Sequence, residues 1–456
     1  MNRSTTIGLA LMTGLLLHVP ARADWRDDGG FYQLSAELGS AMPTGAGIIL
    51  LQTEAGNGIP QASSTSPFPG AGNYAGKTFT MHSSGMVYSD HANSVADYFY
   101  GNATSASPGV TEVHLMDADG FVTTFETIGT PPVAPGLVHN HSWIGSSDSP
   151  SYPDSYYLRA FDYQIDRDGL ISCTPLNNGT GAVPPLMACS YHSITAGLRN
   201  GNHSLGGTTA DGTGRMKPDL VVDVGFTSYA APAVGSVAAM LRESIKAGFP
   251  AADNPPTIKA IMLAGASKEH LPGWHRAASA QPYDATFGAG ELNVRQAYHI
   301  LAAGSQPANN AAEVSSSGWN CNTAQSASAR RYFFSIPAGN YGNIFSAALT
   351  WHRVISHSPG NYSSSLPNLD LKLYAASSLA ISSTLDQSAS AIDNVEHIFL
   401  RNLPAGQYAL EVSSDTDEVR YGLAWQTQTG AGPAMALRVD AGSVYLDLTN
   451  LDPFAT

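Results

Sequence analysis

The apolar positions follow two different periods along this chain. From about residue 44 to 303, short continuous apolar runs alternate with stretches of helical spacing. Ile48-Ile49-Leu50-Leu51, Leu170-Ile171 and Leu220-Val221-Val222 are runs of the kind that strands buried on both faces carry. Residues 94–100 read as a helix stopped by Gly101-Asn102. Residues 231–247 read as a longer one, with Val234, Val237, Leu241 and Ile245 on one stripe and Gly248 just behind. A further helix is expected over 257–266. Strand and helix in alternation imply an α/β domain with a mostly parallel sheet.

Further on the period drops to two. Leu369-Asp370-Leu371-Lys372-Leu373-Tyr374 and Gln407-Tyr408-Ala409-Leu410-Glu411-Val412 alternate, and residues 346–354, 398–400 and 421–425 are strand candidates. Turn signals such as Ser358-Pro359-Gly360-Asn361 separate them. Many short strands without a long helix suggest a β-sandwich. The change falls near residues 304–317, rich in Ala, Ser, Asn and Gly. The expected organisation is an α/β domain over 24–305 and a β-sandwich with a tail over 306–456. In the tail, 435–439 and 442–446 are strand-like.

Composition narrows the function. The chain has 456 residues, 43% hydrophobic, so a sizeable core is available. Only 13% of residues are charged and the net charge is −14. Such a field repels phosphate backbones and argues against nucleic acid as a partner. At the N-terminus, Arg3, the apolar run 7–17 and Ala21-Arg22-Ala23 form the pattern of a secretory signal peptide, expected over 1–23. The run is too short to span a bilayer, and no later segment is apolar enough. The expected location is therefore secreted, periplasmic or at the cell surface. Three cysteines leave two alternatives open: a Cys173–Cys189 pair with Cys321 free, or three buried thiols.

The chemistry concentrates in a few short segments. Thr227-Ser228-Tyr229-Ala230-Ala231-Pro232 places a serine just before a helix, with Pro232 expected in the first turn. Aligned N–H groups at a helix start favour an anion forming beside the serine oxygen, as acyl transfer requires. An ordinary N-cap serine fits the same pattern. The segment also resembles the nucleophile motif of subtilases, the subtilisin-like serine proteases. Lys217-Pro218-Asp219-Leu220-Val221 and Asp90-His91-Ala92-Asn93-Ser94-Val95-Ala96 are similar to that family too, the latter to its catalytic histidine segment. Gly109-Val110 and Val113-His114-Leu115-Met116-Asp117 fit the strand that follows. The stretch from Gly47 to Gly56 fits the family's first core strand, with Glu54 at the position of the usual Asp.

The resemblance implies a subtilisin-like mostly parallel sheet flanked by helices, followed by the sandwich. It also implies a triad of Glu54, His91 and Ser228, in the acid, His, Ser order of subtilisin. In Thr174-Pro175-Leu176-Asn177-Asn178-Gly179 it points to Asn177 as the oxyanion donor, with Asn178 one position away. Val138-His139-Asn140-His141-Ser142-Trp143 resembles the strand lining the substrate cleft, so Ser142 and Trp143 are expected to border a docked peptide. His139 and His141 are expected to be structural. Asp117-Ala118-Asp119-Gly120 and Asp166-Arg167-Asp168-Gly169 are expected to be turns; structural calcium is possible in this family, but no ligand set maps here. The expected function is a secreted serine endopeptidase acting on protein or peptide substrates through an acyl-enzyme, with no cofactor required. The alternative is a catalytically impaired subtilase-fold binding or surface protein.

Overall fold

The computed structural model describes residues 24–59, 71–126, 130–338, 341–430, 436–440 and 443–447. The expected signal segment 1–23 lies outside the described residues. Seven strands make the central sheet: β1 Leu50–Glu54, β2 Thr78–Met81, β3 Glu112–Asp117, β4 Val138–His141, β5 Ile171–Pro175, β6 Ile194–Leu198 and β7 Leu220–Val222. Their order is β2-β3-β1-β4-β5-β6-β7, and every pairing is parallel. Parallel neighbours need crossovers, and helices supply those from β2 to β3, β3 to β4 and β4 to β5. The longer helices of this half are α1 Asp90–Tyr100 and α2 Asp154–Asp168, in crossovers, and α3 Thr227–Gly248, α4 Pro255–Ala264 and α5 Val294–Ala302, after the last strand.

The helix starts differ from the sequence expectation for local reasons. α1 begins at Asp90, because the Ser89 hydroxyl accepts the Ala92 N–H at 3.3 Å. α3 begins at Thr227, four residues before the expected start at 231, so Pro232 sits in its second turn and not its first. α2 escaped the pattern entirely. Its buried positions mix Leu158, Phe161 and Ile165 with Tyr156, Tyr157, Asp162 and Gln164, so no clean apolar stripe appears. Asp166-Arg167-Asp168 is the last turn of α2, closed by Gly169 at φ 63°, where a side chain would be strained. Asp117 caps the short helix Ala118–Thr123 through the Gly120 N–H at 2.7 Å. All three cysteines are free thiols, with Cys173 and Cys189 buried.

The second half is all strand: β8 Asn309–Glu313, β9 Gly318–Ala324, β10 Arg330–Ile336, β11 Tyr341–Trp351, β12 Leu369–Ser377, β13 Ala380–Ser388, β14 Val395–Leu400, β15 Gly406–Ser414 and β16 Val419–Gly430. They form two sheets, β8-β10-β15-β12-β13 and β9-β16-β11-β14. The sheets stack around one core, with Phe334 against Phe345 at 5.3 Å and Tyr332 against Trp425 at 5.4 Å. A hairpin, Val354–Ser358 with Asn361–Ser365, turns at Pro359-Gly360. In the tail, Ala436–Asp440 and Ser443–Asp447 pair with each other.

The sandwich is packed hard against the α/β half. Trp319, Ala348, Val395 and Ala424 belong to the same apolar cluster as α3 and α4. Gly422 on β16 approaches α4 so closely that a Cβ would stand 2.4 Å from the Thr257 backbone. Arg353 bridges the halves, 2.8 Å from Asp162 on α2 and 2.6 Å from Asp211, with all three side chains buried.

Candidate active site

In an open parallel sheet, ligands bind beyond the carboxyl ends of the strands where the strand order reverses. Here that point is β1: β2 and β3 lie to one side, β4 to β7 to the other. The last residue of β1 is Glu54. Its carboxylate accepts a hydrogen bond from His91, with Oε2 2.8 Å from Nδ1. The Glu54 side chain is 3% exposed and that of His91 is 45% exposed, so a buried acid holds a histidine open to solvent. The added methylene of Glu is accommodated, and the carboxylate reaches Nδ1 at ordinary length. Burial pushes the Glu54 carboxyl up, opposed by the His91 and Gln52 N–H groups. The Glu54 hydrogen bond in turn raises His91 above its ordinary value, with burial working against it.

Ser228 is the second residue of α3 and is buried. Pro232 has no N–H to give to the Ser228 carbonyl four residues back. That carbonyl is taken instead by the Ser142 hydroxyl at 2.8 Å, which itself accepts from Asn140 Nδ2 at 2.8 Å. The backbone of Ser228 is thereby fixed to the end of β4. Among the described residues no hydrogen bond is made by the Ser228 hydroxyl or the Ser228 N–H, and none joins Ser228 to His91. The Tyr229 ring, one residue on, lies 6.4 Å from the His91 ring. Tyr229 is stacked on Tyr98 at 5.1 Å and edged by Phe226 at 5.3 Å. Phe226 adopts an extended backbone, φ −142°, and its half-exposed side chain strains nothing.

The amide beside the serine is that of Asn178, one residue beyond the expected Asn177. Asn178 Oδ1 accepts from the Thr227 N–H at 2.9 Å, while the Thr227 hydroxyl donates to the Leu176 carbonyl at 2.6 Å. The Asn178 bond caps α3 where Phe226 offers no side-chain acceptor. With Oδ1 so committed, Nδ2 keeps both hydrogens for another acceptor. Asn177 and Asn178 are both exposed, but the Asn177 backbone is turned toward Ser204, whose hydroxyl accepts the Asn177 N–H at 3.1 Å. The Asn177 side chain makes no hydrogen bond among the described residues.

Ser142 and Trp143 differ from expectation in what they touch. The Ser142 hydroxyl is spent on the Ser228 carbonyl, so its side chain fixes the serine backbone. Trp143 is buried, donates from Nε1 to Thr53 Oγ1 at 2.9 Å, and lines a cavity of about 330 Å³ with Ala55, Val122, Ile144 and Leu186. Gly145 already pairs in both directions with Leu186, so its own backbone is closed to strand addition. His139 and His141 are fully buried on β4, bonded to the Pro135 carbonyl and to Thr53. Burial pushes His139 down to about 4. Among the described residues, Asp28, His270 and Glu291 form the one cluster with metal-ligand spacing. Arg199 already fills it, with Nη1 2.6 Å from Asp28 and 3.0 Å from Glu291. No helix among the described residues is long and apolar enough to cross a membrane.

Sequence reasoning missed Gln52 and Tyr100. Gln52 Nε2 donates to Glu54 Oε1 at 2.7 Å and to the Ala92 carbonyl at 2.9 Å, and Gln52 Oε1 accepts from the Tyr100 hydroxyl at 2.6 Å.

A seven-stranded parallel sheet flanked by helices, followed by two stacked, mostly antiparallel sheets, is the architecture that the subtilase resemblance implies. No protein-family model matches the chain, and no curated protein matches it. Solved structures similar to it include the prenylagaramide maturation protease PagA, at 17% identity over 59% of this chain and 98% of that one, with a TM-score of 0.41. The patellamide maturation protease PatA matches at 18% identity over 57% and 98%, TM-score 0.38. A lanthipeptide protease matches at 13% identity over 61% and 93%, TM-score 0.41.

Proposed function

We propose that this chain is an exported serine peptidase that cleaves internal peptide bonds through Glu54, His91 and Ser228. The observation that carries the reading is the buried Glu54 carboxylate bonded to Nδ1 of a half-exposed histidine at the strand-order reversal, with Tyr229, the neighbour of Ser228 at the α3 N-terminus, 6.4 Å from the His91 ring. Glu54 keeps the proton on Nδ1, so Nε2 presents a lone pair. Nε2 takes the Ser228 hydroxyl proton as Oγ bonds to the peptide carbonyl carbon. The oxyanion that forms is met by the Ser228 N–H and by Asn178 Nδ2, with the α3 dipole behind them. His91 then gives its proton to the leaving nitrogen and the C–N bond breaks. Water, deprotonated by His91, attacks the acyl ester and releases the acid. Apo hydrogen bonds of this kind are often long and tighten only with substrate bound.

The test is hydrolysis of an internally quenched peptide by residues 24–456, against Ser228→Ala and His91→Ala. Loss of at least a thousandfold in both variants is expected. Unchanged turnover in either removes that residue from the mechanism. A second reading, a binding protein that keeps the scaffold without turnover, draws on the lack of a hydrogen bond between His91 and Ser228. A wild-type chain that cleaves no peptide but retains one supports it.

A further inference from the structure

Gln52 precedes Glu54 by two residues on β1, so the two side chains share a face of the strand. It is 1% exposed, and each end of its amide is accounted for. Both partners of Nε2, the Glu54 carboxylate and the Ala92 carbonyl, only accept, so the amide cannot be turned over. Its oxygen takes the Tyr100 hydroxyl. Ala92 adjoins His91 at the start of α1 and Tyr100 ends that helix. One glutamine thus ties both ends of the His91 helix to the strand that carries the acid.

We propose that Gln52 is a positioning residue that fixes which Glu54 oxygen faces His91, and so holds the carboxylate in line with Nδ1. This rests on the triad reading above. A glutamate arm has one more rotatable bond than an aspartate arm. Anchoring Oε1 on Gln52 leaves Oε2 alone to meet Nδ1, which removes that freedom.

The lock has a consequence that a packing role would not have. In Glu54→Gln the new amide must turn its oxygen to Gln52 Nε2, since two NH₂ groups cannot pair. Its NH₂ then donates to His91 Nδ1 and moves the ring proton to Nε2, where the imidazole cannot accept from Ser228. Replacing Gln52 by Leu frees that amide to turn its oxygen back to Nδ1.

The experiment compares wild type, Gln52→Leu, Glu54→Gln and the double variant, by peptide turnover and by nitrogen NMR of the His91 ring. Gln52→Leu should lower kcat about tenfold to a hundredfold with KM nearly unchanged. Glu54→Gln should lower it about a thousandfold or more and show the Nε2–H tautomer. Adding Gln52→Leu to Glu54→Gln should raise kcat about tenfold and restore Nδ1–H signal, so one substitution harms the parent and helps the variant. Tyr100→Phe leaves both Nε2 acceptors in place and should not rescue Glu54→Gln. Wild-type turnover in Gln52→Leu, or a double variant slower than Glu54→Gln and still Nε2–H, overturns the proposal. The NMR readout needs no turnover, so a chain that hydrolyses nothing still tests Gln52 while failing the peptidase reading. Gln52→Met serves in place of Gln52→Leu if the latter does not fold.

Discussion

Asn178 serves two purposes with its two ends, and the two can be separated. Its oxygen caps α3 through the Thr227 N–H at 2.9 Å, and its nitrogen is the proposed oxyanion donor. In Asn178→Ala both are lost. Loss of a capping acceptor costs about 1 kcal/mol of stability. Loss of one oxyanion donor costs about 10²–10³ in kcat, or about 2.7–4 kcal/mol at the transition state. Asn178→Asp separates the effects. It keeps the acceptor at Thr227 and adds negative charge at a helix N-terminus, worth about 0.3–1 kcal/mol in favour of the fold. It removes the donor hydrogens and sets a charge against the developing oxyanion. The urea midpoint should therefore fall in Asn178→Ala and hold or rise in Asn178→Asp, while kcat on a quenched peptide falls at least a hundredfold in both. Asn177→Ala should change neither by more than about twofold. Near wild-type turnover in Asn178→Asp, or an equal loss in Asn177→Ala, would refute the assignment of the amide.

Three further outcomes follow from the charges. His91 acts as a base only when neutral, and its hydrogen bond to Glu54 raises it above 6.5. The acid limb of kcat/KM should therefore lie above pH 6.5, and a limb below it would show that Glu54 does not hold the ring. Arg353→Met leaves the buried Asp162 carboxylate without its guanidinium, while Asp211 keeps Arg159 at 2.7 Å; the loss should cost about 3–5 kcal/mol in urea unfolding, and one under about 1 kcal/mol contradicts the bridge. His192 is stacked on His352 at 3.8 Å and burial pushes it down to about 3. Its unfolded form binds a proton below about 6.5 while the folded form resists. Stability should be intact above that pH and fall by about 1.4 kcal/mol per pH unit, for this group, toward pH 3. His192→Asn should remove that share of the slope; an unchanged slope would place the proton uptake elsewhere.

The elements readable from the chain were those whose burial is simple. β7 is Leu220-Val221-Val222 as read, because both of its faces are covered by apolar neighbours. The drop to period two marked the sandwich, since each of its sheets buries one face on the other. α2 was illegible because polar partners inside the protein, such as Arg353 for Asp162, replace the apolar stripe. Glu54 and His91 stood out through a motif, but Asn177 and Asn178 are identical neighbours. Which one faces α3 is decided by contacts 27 residues on, where the Ser204 hydroxyl accepts the Asn177 N–H. Ser142 was read as a substrate contact because nothing local reveals that Pro232 leaves the Ser228 carbonyl in need of a donor. Gln52 carries no reactive group, and its position matters only once α1 folds back over β1.

The most direct measurement is the site and stoichiometry of covalent labelling by a fluorophosphonate, read by mass spectrometry of residues 24–456. The triad predicts one adduct per chain, on Ser228, formed faster as His91 loses its proton and lost in His91→Ala. A chain that stays unlabelled, or that carries the adduct on another residue, would contradict the joint action of Glu54, His91 and Ser228.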